Sequence, residues 1–131
     1  MEYNFTINTD TKIITVQTTG ELIKNEVAKM DKRIRTKAKE FNCSILFDFR
    51  KSKNQITMAD AFFWFTELYE DDEKSLISIP TVHLSSAEDE QFFRFFETTT
   101  NNNGISIKMF LEEEPAMKWL GVETRHATSV Q

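Results

Sequence analysis

Residues 43–65 read CSILFDFRKSKNQITMADAFFWF, and this stretch decides the fold of the chain. Its first part contains the unbroken apolar run Ile45–Phe47, which predicts a strand covered on both faces. The polar segment 51–55 predicts a loop, and Thr57 stands three residues before Asp60, as in a capped helix start. A buried strand followed by a loop and a helix is typical of α/β proteins, which bind ligands at the C-terminal ends of strands. A functional site is therefore expected at this junction.

Outward from this junction, strands and helices alternate along the chain. Two β-branched segments at the N-terminus predict a hairpin that ends at Gly20. The next segment predicts a long amphipathic helix, whose inward stripe runs from Ile23 to Phe41 and whose other faces are basic. The predicted elements are, in order, strands at Tyr3–Asn8 and Lys12–Thr18, a helix at Glu21–Phe41, a strand at Ser44–Phe49, a helix from Thr57 to about Tyr69, a strand at Ile77–Leu84, a helix capped by Ser85 or Ser86, a polar loop at Thr98–Gly104, a strand at Ile105–Leu111 and a helix at Glu112–Leu120.

The order ββαβαβαβα predicts a single-domain α/β fold. An N-terminal hairpin would precede alternating helices and strands, and the sheet would be mixed and mostly parallel. Gly121 is expected to stop the last helix, so the predicted domain covers residues 1–121. Residues 122–131 have little to bury and are expected to form a frayed tail.

Composition excludes several classes of function. The chain has 131 residues, which suits one domain, and its net charge is −5. Sequence-independent binding of nucleic acid needs a basic face, so this charge argues against it. Cys43 is the only cysteine, which excludes an intramolecular disulfide. Neither a signal-peptide pattern nor an apolar run of membrane-spanning length occurs, so we expect a cytoplasmic protein without a membrane span.

Three features of the chain are shared with one known family. Gly20–Leu22 reads Gly-Glu-Leu and leads into the long helix, Asp48–Arg50 reads Asp-Phe-Arg at the end of the central strand, and Ala116–Leu120 closes the last helix. In this order and spacing, over residues 3–121, the chain resembles the STAS family of sulfate transporters and anti-sigma factor antagonists. Its closest likeness is to the SpoIIAA-like branch of small stand-alone domains of poorly defined role. The resemblance implies the fold predicted above and a function in regulatory protein binding.

The chain departs from that family at the helix after the central strand. Regulatory members carry an Asp-Ser-Ser/Thr-Gly motif there, whose phosphorylated hydroxyl controls partner binding, whereas residues 55–60 of this chain read QITMAD. Thr57 is the hydroxyl in the matching position. It can be a phosphosite or anion site at a helix N-terminus, with Ser52, Lys51 and Lys53 close in sequence. It can equally be an ordinary N-cap, so both interpretations stay open.

Asp48 and Arg50 flank the strand exit and can point to the same side of the sheet. They can form a structural pair that holds the loop, or contact a ligand. A catalytic role for Asp48 needs a second titrating group, and the sequence points to none. His83 and His126 have no cysteine or second histidine at ligand spacing, so no metal site is predicted.

Aromatic rings are in surplus, since the chain contains twelve phenylalanines. On the helix after Thr57, Phe63 points away from the inward face, and Trp64 falls near the far edge of the apolar arc. Flanking loops cover them, or they form a contact surface for a partner. On the following helix, Phe93 and Phe95 lie to either side of the inward face. They complete an aromatic core or line a pocket for an apolar ligand.

These observations lead to one hypothesis and two alternatives. The leading hypothesis is a non-enzymatic STAS-like binding or regulatory domain without a cofactor, which acts through an unknown protein partner or as a homodimer. Segment 51–55, the start of the following helix and the rings of Phe63 and Trp64 would form the contact. The first alternative is a carrier of a small apolar or amphipathic ligand in a Phe-lined pocket. The second, ranked lower, is an enzyme that uses Asp48.

Overall fold

The computed structural model describes residues 1–129 of the chain, with side chains described for residues 1–125. Within these residues the chain forms one α/β domain of six strands and six helices. The strands are β1 (Glu2–Asn8), β2 (Ile13–Leu22), β3 (Ser44–Asp48), β4 (Ser52–Asn54), β5 (Thr81–Leu84) and β6 (Ile107–Phe110). The helices are α1 (Lys24–Phe41), α2 (Met58–Phe62), α3 (Trp64–Leu68), α4 (Lys74–Ile77), α5 (Glu90–Asn101) and α6 (Glu113–Ser129).

The strands form one mixed sheet in the order β1-β2-β3-β5-β6, and β4 pairs with β2 farther along that strand. β1 is antiparallel to β2, whereas the other strand pairs are parallel. β2 has two partners on this side, because Ile13–Gln17 pairs with β3 and Gly20–Leu22 pairs with β4. The predicted single-domain α/β fold, with an N-terminal hairpin and a mostly parallel sheet, is confirmed.

Both faces of the sheet are covered, because successive side chains of a strand point to opposite faces. On one face, Leu46 and Val82 pack against Leu120 of α6. On the other face, Ile45 and Phe47 belong to a larger core that α1, the α2–α3 segment and α5 complete. This larger core also encloses a small cavity.

The end of β2 corrects two predictions. β2 continues to Leu22 through Gly20, which has a φ of 87°, so the expectation that Gly20 ends the strand is wrong. Segment 51–55, predicted as a loop, contains β4, and the N–H of Gln55 donates to the carbonyl of Leu22 at 3.0 Å. This strand forms because β2 extends past β3, and the backbone groups of the extension need partners.

The two ends of the predicted stripe on α1 lie at the surface. Ile23 is the exposed N-cap residue, and Phe41 is the exposed last residue. Asn42 then adopts a left-handed conformation and donates to carbonyls of the last turn, which ends the helix. The middle of the stripe is buried as predicted, at Val27, Met30, Ile34 and Ala38. α1 also buries Asp31 and Arg35, so the expectation that the basic residues lie on the outer faces is wrong for Arg35.

Three other boundaries differ from the prediction. The helix expected from Thr57 to about Tyr69 is broken at Phe63 into α2 and α3. The strand expected at Ile77–Leu84 begins only after Pro80, whose missing N–H cannot join the ladder, and residues 74–77 form α4. α5 extends to Asn101, into the segment predicted as a polar loop.

α6 continues past Gly121 to Ser129, so the expectation that Gly121 stops the helix is wrong. Gly121 is accommodated within the helix, and the turn that follows it contacts the sheet. The hydroxyl of Thr124 is buried and lies 2.8 Å from the hydroxyl of Ser44 at the start of β3. The tail predicted as frayed is therefore helical as far as Ser129, and residues 130–131 lie outside the described part of the chain.

Candidate functional site

At the predicted junction, Asp48 and Arg50 form a closed bidentate pair. Arg50 Nε donates to Asp48 Oδ1 at 3.0 Å, and Arg50 Nη2 donates to Oδ2 at 2.9 Å. The backbone N–H of Arg50 donates to Oδ1 as well, at 3.1 Å. Partial burial raises the pKa of Asp48, but the hydrogen bonds and charge of Arg50 outweigh it, so the pKa lies below its ordinary value. A carboxylate held ionised in this way is suited to fixing the strand exit rather than to moving protons at neutral pH.

Of the four predicted anion-site residues, Ser52 is buried and the other three are exposed. Thr57 is exposed, and its Oγ1 accepts a hydrogen bond from the N–H of Asp60 at 3.1 Å, so it caps α2. Ser52 faces inward on β4, and its hydroxyl lies 2.6 Å from that of Thr18. Lys51 and Lys53 are exposed on either side of Ser52. Burial takes Ser52 out of any surface phosphosite, whereas Thr57 stays accessible as a cap.

The break at Phe63 changes which rings face the core. Phe63 has φ −95° and ψ 8°, and it is both the C-cap residue of α2 and the N-cap residue of α3. A new helix begins after Phe63. Trp64 and Phe65 therefore face the core, whereas Phe62 and Phe63 remain exposed. The expectation that Trp64 joins Phe63 on the surface is therefore wrong.

Three large apolar side chains are exposed on α2 and at the break. Phe62 is 55% exposed, Phe63 46% and Met58 42%, and we call these three residues the apolar patch. Met58 and Phe62 are neighbours on one helix face, and the rings of Phe62 and Phe63 meet edge to face at 4.9 Å. Contiguous exposure of this kind marks a contact surface more often than scattered apolar residues do.

Charged groups border the apolar patch. Lys24 Nζ lies 3.4 Å from Asp60 Oδ1 and 3.5 Å from Glu67 Oε2. Hydrogen bonding to Asp60 raises the pKa of Lys24. An apolar centre beside paired charges has the anatomy of a protein interface, which places its polar groups at the rim.

Beneath α3, rings from three elements surround a cavity of about 30 Å³. The rings of Phe47, Phe49 and Phe93 are stacked, with centroids 5.5 and 5.2 Å apart and planes within 11° of parallel. Trp64 of α3 and Phe96 of α5 also line the cavity. Phe93 thus belongs to this interior, while Phe95 is half-buried at the margin of the core and does not line the cavity.

A buried ion pair on α1 faces the same cavity. Arg35 Nε donates to Asp31 Oδ1 at 3.0 Å, and both side chains are almost completely buried. Asp31 Oδ2 accepts from the hydroxyl of Tyr69 at 2.7 Å and from the indole N–H of Trp64 at 3.4 Å. Arg35 Nη1 donates to the carbonyl of Leu76 at 3.1 Å. Each charge is therefore compensated by its partner and by further hydrogen bonds, as a buried pair requires.

Protonation states in this region are set by burial. Burial raises the pKa of Tyr69 well above its ordinary value, and the carboxylate of Asp31 raises it further, so the phenol keeps its proton. Burial lowers the pKa of His83 to about 3. The charge of Asp31 opposes this shift, and the charge of Arg35 adds to it. The imidazole of His83 is therefore neutral at neutral pH.

His83 is the polar group of the cavity whose hydrogen bonding is incomplete. It lies on β5, is 7% exposed, and packs edge-on against Phe49 and Phe93 at 5.5 and 5.6 Å. Its buried Nδ1 has no hydrogen-bond partner within the described part of the chain. Buried polar atoms are rarely left in this state.

A metal site at either histidine would need further ligands close by. Among the side chains described, no three His, Cys, Asp or Glu residues come together as a metal site would require. The side chain of His126 lies outside the described residues.

Sequence reasoning missed the polar lining of the cavity, although one signal was present. Asp31 stands four residues after the inward Val27, and Arg35 stands four residues after Asp31. That spacing puts an acid and a base one turn apart beside the inward stripe. His83 was weighed only as a metal ligand, whereas its position in a strand buried on both faces predicts burial.

Comparisons with known proteins do not assign the chain to a family. No family model matches the chain, and neither a curated protein nor a solved structure is significantly similar to it. A bilayer-crossing helix does not occur within residues 1–129.

Proposed function

We propose that this chain is a non-enzymatic, STAS-like binding domain that docks a protein surface through its apolar patch. The simplest protein to bind the patch is a second copy of the chain, and the alternative is a different regulatory protein. The single observation that carries the proposal is the exposure of Met58, Phe62 and Phe63 side by side at the broken helix. Burying an exposed Phe side chain contributes about 1.5–3 kcal/mol, so two rings in one patch can anchor an interface.

The junction residues support a binding role over a catalytic one. Asp48 is occupied by Arg50 through three hydrogen bonds, so its carboxylate is committed to the loop. Thr57 acts as a helix cap and stands outside the family's phosphorylation motif, so docking is proposed without a phosphorylation switch. The STAS-like architecture is proposed on the sequence motifs and is consistent with the mixed sheet.

Self-association can be measured by size-exclusion chromatography with light scattering, from low to high micromolar protein. We expect the wild-type chain to shift toward a dimer as concentration rises, and Phe63→Ser to remain monomeric. Phe41→Ser is the matched control, because Phe41 is 41% exposed at the far end of α1, away from the patch. This control should dimerise like the wild type.

If the wild-type chain stays monomeric, the second occupant is tested by affinity capture from the native cells. The proposal then requires a protein that binds the wild type and Phe41→Ser but not Phe62→Ser or Phe63→Ser. A monomer that also captures no patch-dependent partner would show that the proposed function is wrong.

A further inference from the structure

We infer that the cavity beneath α3 binds one small uncharged molecule that carries a hydroxyl group on an apolar body. Two observations point to a ligand. The interior leaves a space of about 30 Å³ that His83 lines, and the buried Nδ1 of His83 has no hydrogen-bond partner among the described residues. This inference is independent of the apolar patch, because none of the three patch residues lines the cavity.

The charge of the site selects an uncharged ligand. Asp31 and Arg35 are the charged groups that face the cavity, and they neutralise each other through a 3.0 Å ion pair. Tyr69 adds its protonated hydroxyl to Asp31, and His83 is neutral. A charged ligand would lose its hydration in this interior without gaining a counter-charge, which is strongly unfavourable.

The polar anchor selects a hydroxyl. A neutral imidazole offers either a donor or an acceptor at Nδ1, depending on its tautomer. A hydroxyl group satisfies both cases, because it donates and accepts. His83 therefore recognises a hydroxyl whichever nitrogen of its ring carries the proton.

The residues that line the cavity favour a ligand whose non-hydroxyl part is small and apolar. The stacked rings of Phe47, Phe49 and Phe93 and the edge of Phe96 surround His83. One buried water needs about 10–15 Å³, so the available space exceeds one water but limits the ligand to a few non-hydrogen atoms. A short-chain alcohol has this size and this division into a polar and an apolar end.

The test uses ethanol as the probe and ethylammonium as its charged counterpart with the same number of heavy atoms. Nuclear magnetic resonance follows the imidazole nitrogens of His83 and the methyl groups of Val27 and Met30, which line the cavity. We expect ethanol to shift these signals saturably and ethylammonium to leave them unchanged. His83→Phe keeps a ring but removes Nδ1, and it should weaken ethanol binding about tenfold, the loss expected for one hydrogen bond.

Xenon provides the control for the cavity itself, since it occupies apolar cavities without hydrogen bonding. Xenon should bind the wild type and His83→Phe alike. Val27→Leu adds one methylene to the lining and keeps His83, so it should weaken both ethanol and xenon and tests the site even if His83→Phe fails to fold. The inference is overturned if ethanol produces no saturable shift, if only an ordered water occupies the cavity in crystals grown with ethanol, or if folded His83→Phe binds ethanol as tightly as the wild type.

Discussion

The hydroxyl of Tyr69 donates a 2.7 Å hydrogen bond to the carboxylate of Asp31, which lies 38 residues earlier in the chain. This bond ties the end of the α2–α3 segment to the middle of α1. The same carboxylate holds Arg35 and accepts from Trp64, so one buried Asp on α1 contacts both ends of α3.

Tyr69→Phe should destabilise the fold by about 2 kcal/mol. The substitution keeps the ring but removes a hydrogen bond to a charged, buried acceptor, and such bonds contribute about 1.5–3 kcal/mol. The measurement is the free energy of unfolding in urea. Tyr3→Phe is the matched control, because the hydroxyl of Tyr3 bonds to Arg33 at the exposed surface, and a cost below about 0.5 kcal/mol is expected. Equal losses in the two variants would contradict the buried role of Tyr69.

Arg35→Met should cost about 3–5 kcal/mol, because it leaves the carboxylate of Asp31 buried without its counter-charge. Arg94→Met breaks a pair of the same spacing, with Glu90, at the surface of α5 and should cost about 0.5 kcal/mol or less. The double variant Asp31→Leu/Arg35→Met removes both charges and should be more stable than Arg35→Met alone. Chemical denaturation of the four proteins checks this order, and a double variant less stable than Arg35→Met would refute it.

Stability should fall as the pH falls from neutral, in part because of His83. Burial lowers the pKa of His83 from 6.5 to about 3, with Asp31 opposing the shift and Arg35 adding to it. Between these values the unfolded chain binds a proton that the folded chain does not, so acid favours unfolding. This one group contributes a slope approaching about 1.4 kcal/mol per pH unit.

The pH dependence is isolated by comparing wild type and His83→Phe in urea from about pH 8 to about pH 5, above the range in which ordinary carboxyl groups titrate. The difference in unfolding free energy between the two proteins should change with pH below about 6.5, in the direction of a wild type that loses stability faster. Parallel curves over this range would show that His83 does not remain neutral in the folded protein.

The break at Phe63 predicts opposite outcomes for two adjacent rings. Trp64→Ala should cost about 3–5 kcal/mol, because Trp64 is buried and its indole N–H bonds to Asp31. Phe63→Ala should cost about 1 kcal/mol or less, because nearly half of Phe63 is exposed. Thermal and urea unfolding of both variants decide the matter. A continuous helix from Thr57 to Tyr69 would instead make the two costs similar.

Much of the fold followed from local patterns. The unbroken apolar run at Ile45–Phe47 predicted a strand covered on both faces, and that strand lies inside the sheet. The spacing of Val27, Met30 and Ile34 predicted a buried helix face that the structure contains. These predictions succeeded because the periodicity of side chains within one element reports the face that it buries.

The ends of the helices and strands and the candidate site were predicted less well from the sequence. Gly20 and Gly121 were expected to terminate their elements, but β4 provides partners for the end of β2 and Ser44 provides a contact for the last turns of α6. Trp64 was expected near Phe63 on the surface, but contact with Asp31 turns it inward. In each case a segment distant in sequence overrides the local signal.

The sequence by itself determined the α/β alternation, the hairpin and the inward stripe of α1, because these depend on residues only a few positions apart. Only the tertiary structure decided that Asp31, Arg35 and His83 share one cavity and that Phe62 and Phe63 remain outside. Burial of a polar side chain depends on the distant segments that pack over it. Trp64 and Tyr69 reach Asp31 from 33 and 38 residues away, and no local pattern encodes that meeting.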